Sequence, residues 1–81
     1  MHALLWYNKH RRPLAAALRQ ALRDFQAAPH TRGRTAAVCQ LNPQQLPLDT
    51  STLHGLKLVA NPQVPINHLR ICAQNGEVND C

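Results

Sequence analysis

The sequence predicts an α+β domain: one amphipathic helix packed on a small, mainly antiparallel sheet of three to five short strands. Three observations predict it. Apolar residues recur at long-range helical spacing before residue 28, short alternating runs of strand length follow residue 34, and Pro, Asn and Gly mark the boundaries.

The opening run "HALLWY", residues 2–7, is apolar and too short for its period to separate strand from helix; it is read here as a first strand. Pro13 then favours a helix starting near His10 or Arg11, because proline is tolerated in a first turn but costs about 3 kcal/mol in an interior. From there to Ala28 the residues are strong helix formers. Leu14, Leu18, Leu22 and Phe25, spaced four, four and three apart, form one apolar face. Burying each contributes roughly 1.5–3 kcal/mol as an upper bound. Pro29 disfavours helical geometry at Ala28 and ends the helix, and "PHTRGR" follows as a basic turn.

Beyond Arg34 the pattern becomes extended. "TAAVCQL" (35–41), "GLKLVA" (55–60) and "NHLRICA" (67–73) have strand length and composition. Leu56, Leu58 and Ala60 alternate with Lys57 and Val59, and Leu69 and Ile71 alternate with His68, Arg70 and Cys72, so each strand has one face for the core. "LNPQQLP" (41–47) and "ANPQVP" (60–65) echo each other and each stops a strand, since Asn-Pro initiates turns and proline removes a ladder donor. Between them, "LDTSTLHG" carries the helix caps Asp49 and Thr50 and a stop at Gly55, which fits a single helical turn. Asn75-Gly76 predicts a type I′ hairpin turn with both residues at positive φ, from which "EVND" folds back as a last strand.

A chain of 81 residues is expected to form a single small domain, residues 1–81, with one modest core. Only Trp6, Tyr7 and Phe25 are aromatic, so aliphatic side chains and alanine fill most of that core. On a strand, Trp6 and Tyr7 would point to opposite faces. No segment has the roughly 20 consecutive apolar residues of a membrane span, and "ALLWY" is shorter than the apolar region of a signal peptide; no membrane partner and a cytoplasmic location are expected. The odd cysteine count, Cys39, Cys72 and Cys81, is read as free thiols.

Charge is lopsided. Residues 1–34 hold Lys9, Arg11, Arg12, Arg19, Arg23, Arg32 and Arg34 against Asp24 alone, while the remainder is nearly neutral. With Leu18 at the centre of the apolar face, Arg19, Arg12 and Arg23 fall at about 100°, 120° and 140°, along one flank, with Asp24 on the other. Lys9 and Arg11 extend this ridge at one end; Arg32 and Arg34 extend it at the other. Arginine makes bidentate contacts with phosphate and carboxylate, so these seven residues are the candidate binding site. The bland alternative is a solvated helix flank in a basic protein. Base-specific reading is not expected: the exposed helix face carries no Asn or Ser, and the later strands carry no aromatic platform.

His68, Cys72, Cys81 and His54 could be assembled into a zinc set, but no CxxC pair supports it, so neither metal nor cofactor is expected. A Cys-His nucleophile pair has no visible oxyanion donors, and the scattered carboxylates make no acid–base pair. The expected function is therefore a small non-catalytic module engaging an acidic macromolecule: nucleic acid, nucleoprotein or an acidic protein surface. The alternative is a self-assembling structural or accessory protein, of bacterial or phage type, that forms homo-oligomers through strand edges and turns.

Overall fold

Helical backbone begins well before Pro13. The computed structural model describes residues 2–46 and 51–81, with side chains from Leu14 onward in the first segment. Helix α1 spans His2–Ala27, so residues 2–7 are its first turns and not a strand. Propagating an established helix through Ala3, Leu4 and Leu5 avoids a second nucleation, whereas a strand must find a partner edge. Pro13 consequently lies in the helix interior, where it supplies no N–H to the Lys9 carbonyl.

Pro29 ends α1 as its chemistry requires. Ala28 is extended, with φ −71° and ψ 132°, and a 3-10 turn follows over Pro29–Thr31. The Thr31 side chain is buried, at 3% exposure, under the helix end. Its hydroxyl donates to the Phe25 carbonyl, one of the acceptors a helix C-terminus leaves open, with the Ala28 carbonyl 3.1 Å away as a second acceptor.

Five strands follow: β1 (Ala36–Leu41), β2 (Thr52–Leu53), β3 (Leu56–Ala60), β4 (Leu69–Asn75) and β5 (Val78–Asp80). They form one sheet in the order β2-β3-β1-β4-β5. Only β1 and β3 pair in parallel; the other three pairings are antiparallel, so the α+β arrangement with a mainly antiparallel sheet is what the chain adopts. A register shift between Ala36 and Val38 bulges β1 against β4.

Two turns depart from the sequence reading. In place of a helical turn, residues 52–56 form the β2–β3 hairpin; the caps Asp49 and Thr50 lie outside the described residues. Its central residues are His54 and Gly55, at φ 50° and 78°, the double positive φ of a type I′ turn. At the β4–β5 hairpin the last pair is Asn75 with Val78, so Gly76 and Glu77 are central. Only Gly76 has positive φ there, 65°, as in a type II′ turn.

The helix packs chiefly on β4, burying Leu18, Ala21 and Phe25 against Cys39, Leu56, Ile71 and Ala73. Leu22, Leu53, Leu58 and Leu69 rim this cluster. The stripe centres on Leu18, Ala21 and Phe25, while Leu14 and Leu22 are half-buried. Lys57 and Arg70, each next to a core residue, are exposed on the sheet face away from the helix, but the expected alternation breaks at Ala60, which is exposed, at Val59, which is half-buried, and at Cys72, which is buried between Ile71 and Ala73. No helix among the described residues is long and apolar enough to cross a membrane.

Two of the three cysteines are bonded: Cys72 and Cys81 form a disulfide, which corrects the reading as free thiols, and Cys39 remains a buried thiol. The hairpin places Cys72 and Cys81 opposite one another, in line with the Ala73–Asp80 pair.

Candidate binding surface

Of the seven sequence-predicted binding residues, Arg19 and Arg23 are exposed on α1. Four residues apart, they stand one turn above another on the same flank. The nearby carboxylate of Asp24 turns elsewhere, accepting from Gln20 Nε2 at 2.9 Å. Arg32 is exposed in the turn that leaves the helix. Among the described residues, no carboxylate pairs with Arg19, Arg23 or Arg32.

Arg34 is different. It is half-buried, and its guanidinium donates to the Asp80 carboxylate, tying the turn after α1 to the end of β5. Lys9, Arg11 and Arg12 lie within α1, with side chains outside those described. Two further cations, Lys57 and Arg70, are exposed on the sheet. The sequence signal for them was the alternation in "GLKLVA" and "NHLRICA", which puts both opposite the apolar face.

The two "NPQ" turns sit side by side at the ends of the parallel strands β1 and β3, joined where the Asn61 N–H donates to the Leu41 carbonyl at 2.8 Å. Each asparagine side-chain oxygen accepts from the backbone two residues on, Asn42 from Gln44 at 2.9 Å and Asn61 from Gln63 at 3.0 Å. The amide groups are occupied as well: Asn42 Nδ2 donates to the Val64 carbonyl and Asn61 Nδ2 to Gln40 Oε1, each at 3.0 Å. Gln45, buried at 1% exposure, exchanges two bonds with Asn67. Around the buried Gln45, this part-buried polar cluster stitches the loops together, while Gln44 and Gln63 stay exposed.

The thiol chemistry weighed above loses its reagents. Burial pushes the Cys39 thiol up to about 11, so it is protonated near neutral pH, and Cys72 and Cys81 are spent in the disulfide. The zinc set thereby loses both sulfur ligands; among the described residues no three His, Cys, Asp or Glu side chains are placed to hold a metal. Two shallow grooves follow the other flank of α1, where it overlies β4. One, of about 270 Å³, lies between Phe25, Ala28 and Thr31 on one side and Leu69 to Ile71 on the other. The second, of about 320 Å³, runs from Ala17 and Gln20 to Asn67 and His68. Searches against protein families, curated proteins and solved structures find no match to this chain.

Proposed function

We infer that the protein is a small non-catalytic binding module that engages an acidic macromolecule through Arg19, Arg23 and Arg32. The observation that carries this reading is the exposed Arg19–Arg23 pair, one helical turn apart and without a carboxylate partner among the described residues. Two guanidinium groups at that spacing present parallel donor forks to successive phosphates or carboxylates. Self-assembly through sheet edges is less favoured, because β2 and β5 are two- and three-residue edge strands. The disulfide fits an oxidising environment better than the reducing cytoplasm.

The reading is tested by titrating a short DNA duplex and, separately, polyglutamate into the disulfide-bonded protein. Binding should weaken with salt, with a log–log slope on DNA of about −3 if three arginines contact phosphates and near −5 if Lys9, Arg11 and Arg12 join them. An Arg19→Glu, Arg23→Glu variant should lose most of the affinity with an unchanged unfolding midpoint. Arg34→Ala should do the reverse, lowering stability slightly, by about 0.2–1 kcal/mol for a half-exposed pair, and leaving affinity intact. Absence of saturable binding to either polyanion at low salt would reject the proposal.

A further inference from the structure

Arg34 alone among the described arginines has a carboxylate partner, and that partner stands next to a covalent cross-link. Asp80 lies opposite Ala73 at the end of the β4–β5 hairpin away from its turn, and Cys81, which follows it, is bonded to Cys72. Two weaker ties act at the same place. Strand β5 meets β4 over three residue pairs, and a two-stranded hairpin of that length is marginal by itself. The Arg34–Asp80 pair is partly exposed, with side-chain exposures of 29% and 40%, so water screens it and it does little to hold the strand. The disulfide is therefore the strongest of the ties that keep the Asp80 carboxylate at Arg34.

What that carboxylate occupies is a cation of the basic turn. Arg34 follows Arg32 by two residues, a span of at most about 7 Å. The backbone of this turn is set without β5, because the Arg34 N–H donates to the Thr31 carbonyl at 3.0 Å. Releasing Asp80 thus leaves the turn in place, frees the Arg34 guanidinium and withdraws a negative charge. Both changes favour an anionic partner.

We propose that the Cys72–Cys81 disulfide is a redox switch on the arginine surface: oxidised, it holds Asp80 on Arg34; reduced, it releases Arg34 to join Arg32 against phosphate or carboxylate. The inference rests on the polyanion reading and adds its regulation. The reductant is a dithiol. One of its thiolates attacks Cys81 Sγ, because Cys72 is fully buried; the S–S bond breaks, its electron pair leaves on Cys72 Sγ, and that sulfur takes up a proton. The second thiol of the reagent then displaces Cys81 Sγ from the mixed disulfide. The protein gains two electrons and two protons, and the dithiol becomes a disulfide. Cys39 faces the helix, on the other side of the sheet from Cys72, and takes no part.

The test uses the full chain, oxidised or treated with dithiothreitol, with the short DNA duplex and polyglutamate as separate probes at low salt. Reduction should tighten binding about two- to fivefold and steepen the log–log salt slope on DNA by about 0.9, the share of one phosphate contact. Asp80→Ala leaves the disulfide in place and should give the oxidised protein the same gain, so the proposal is decided even where reduction also lowers stability. Arg34→Ala should bind as the oxidised parent does and ignore dithiothreitol. Without any probe, the Arg34 guanidinium N–H signals in NMR should exchange with water faster in the reduced chain than in the oxidised one. Equal affinity of the two forms, a gain that survives in Arg34→Ala, no gain in Asp80→Ala, or Arg34 exchange indifferent to reduction would each overturn the switch and leave the arginine surface standing. Binding of neither probe by either form would remove the surface itself, and the switch with it.

Discussion

Cys72 and Cys81 face each other across the β4–β5 hairpin, joined by a disulfide with their Cα atoms 4.0 Å apart. The bond fastens the last strand of a small sheet at the end away from its turn.

Reduction is expected to loosen the fold measurably. Closing a loop with a sequence separation of 9 removes about 2–3 kcal/mol of chain entropy from the unfolded state. In urea the midpoint should fall by about 1–3 M on adding dithiothreitol, given slopes of about 1–2 kcal/mol/M for small domains. A Cys72→Ala, Cys81→Ala variant should show the lower midpoint with or without reductant. Thiol titration of the unfolded, unreduced protein should find one group, Cys39; three groups would contradict the pairing.

Gln45 is expected to be the costliest polar residue to replace. Its side chain donates to Asn67 Oδ1 at 2.8 Å and accepts from the Asn67 N–H at 2.7 Å. Asn67 sits at φ 66°, a left-handed conformation that this two-point contact helps hold. Gln45→Leu leaves both Asn67 groups without those partners and should destabilise by about 1–3 kcal/mol, with faster amide exchange at Asn67. A loss under about 0.5 kcal/mol would show the contact to be incidental.

The Cys39 thiol makes stability fall in alkali. Burial raises it from 9.0 to about 11, so the folded state holds its proton where the unfolded chain has released it. The stabilisation linked to this group is fully present below pH 9 and is lost as pH rises through about 11. Measured against Cys39→Ala, the stability of the parent should decline across that window and run parallel below it. Iodoacetamide should leave native Cys39 unmodified at neutral pH and label it in denaturant.

The helix, the three longer strands and the turns at the NPQ sequences were legible because each rests on a local rule: an apolar period near 3.6, an alternation of 2, or the restrictions proline places on its neighbours. The candidate site was legible only as a set of charges. Arg19 and Arg23 share a flank by helical geometry alone, but Arg34 looked equivalent to them because its partner, Asp80, is 46 residues away. The disulfide was hidden by a single step of register. Centring the last turn on Asn75-Gly76 sets Cys72 opposite Asn79, whereas centring it on Gly76-Glu77 sets Cys72 opposite Cys81.

By itself, then, the sequence determined which stretches coil, which extend and which flank of the helix is basic, because those preferences act between residues a few positions apart. Tertiary structure alone decided that β1 and β3 run in parallel, that Arg34 meets Asp80, and that two cysteines meet. Those outcomes depend on contacts between distant segments, whose strength is set by packing and register and leaves no periodic trace in the chain.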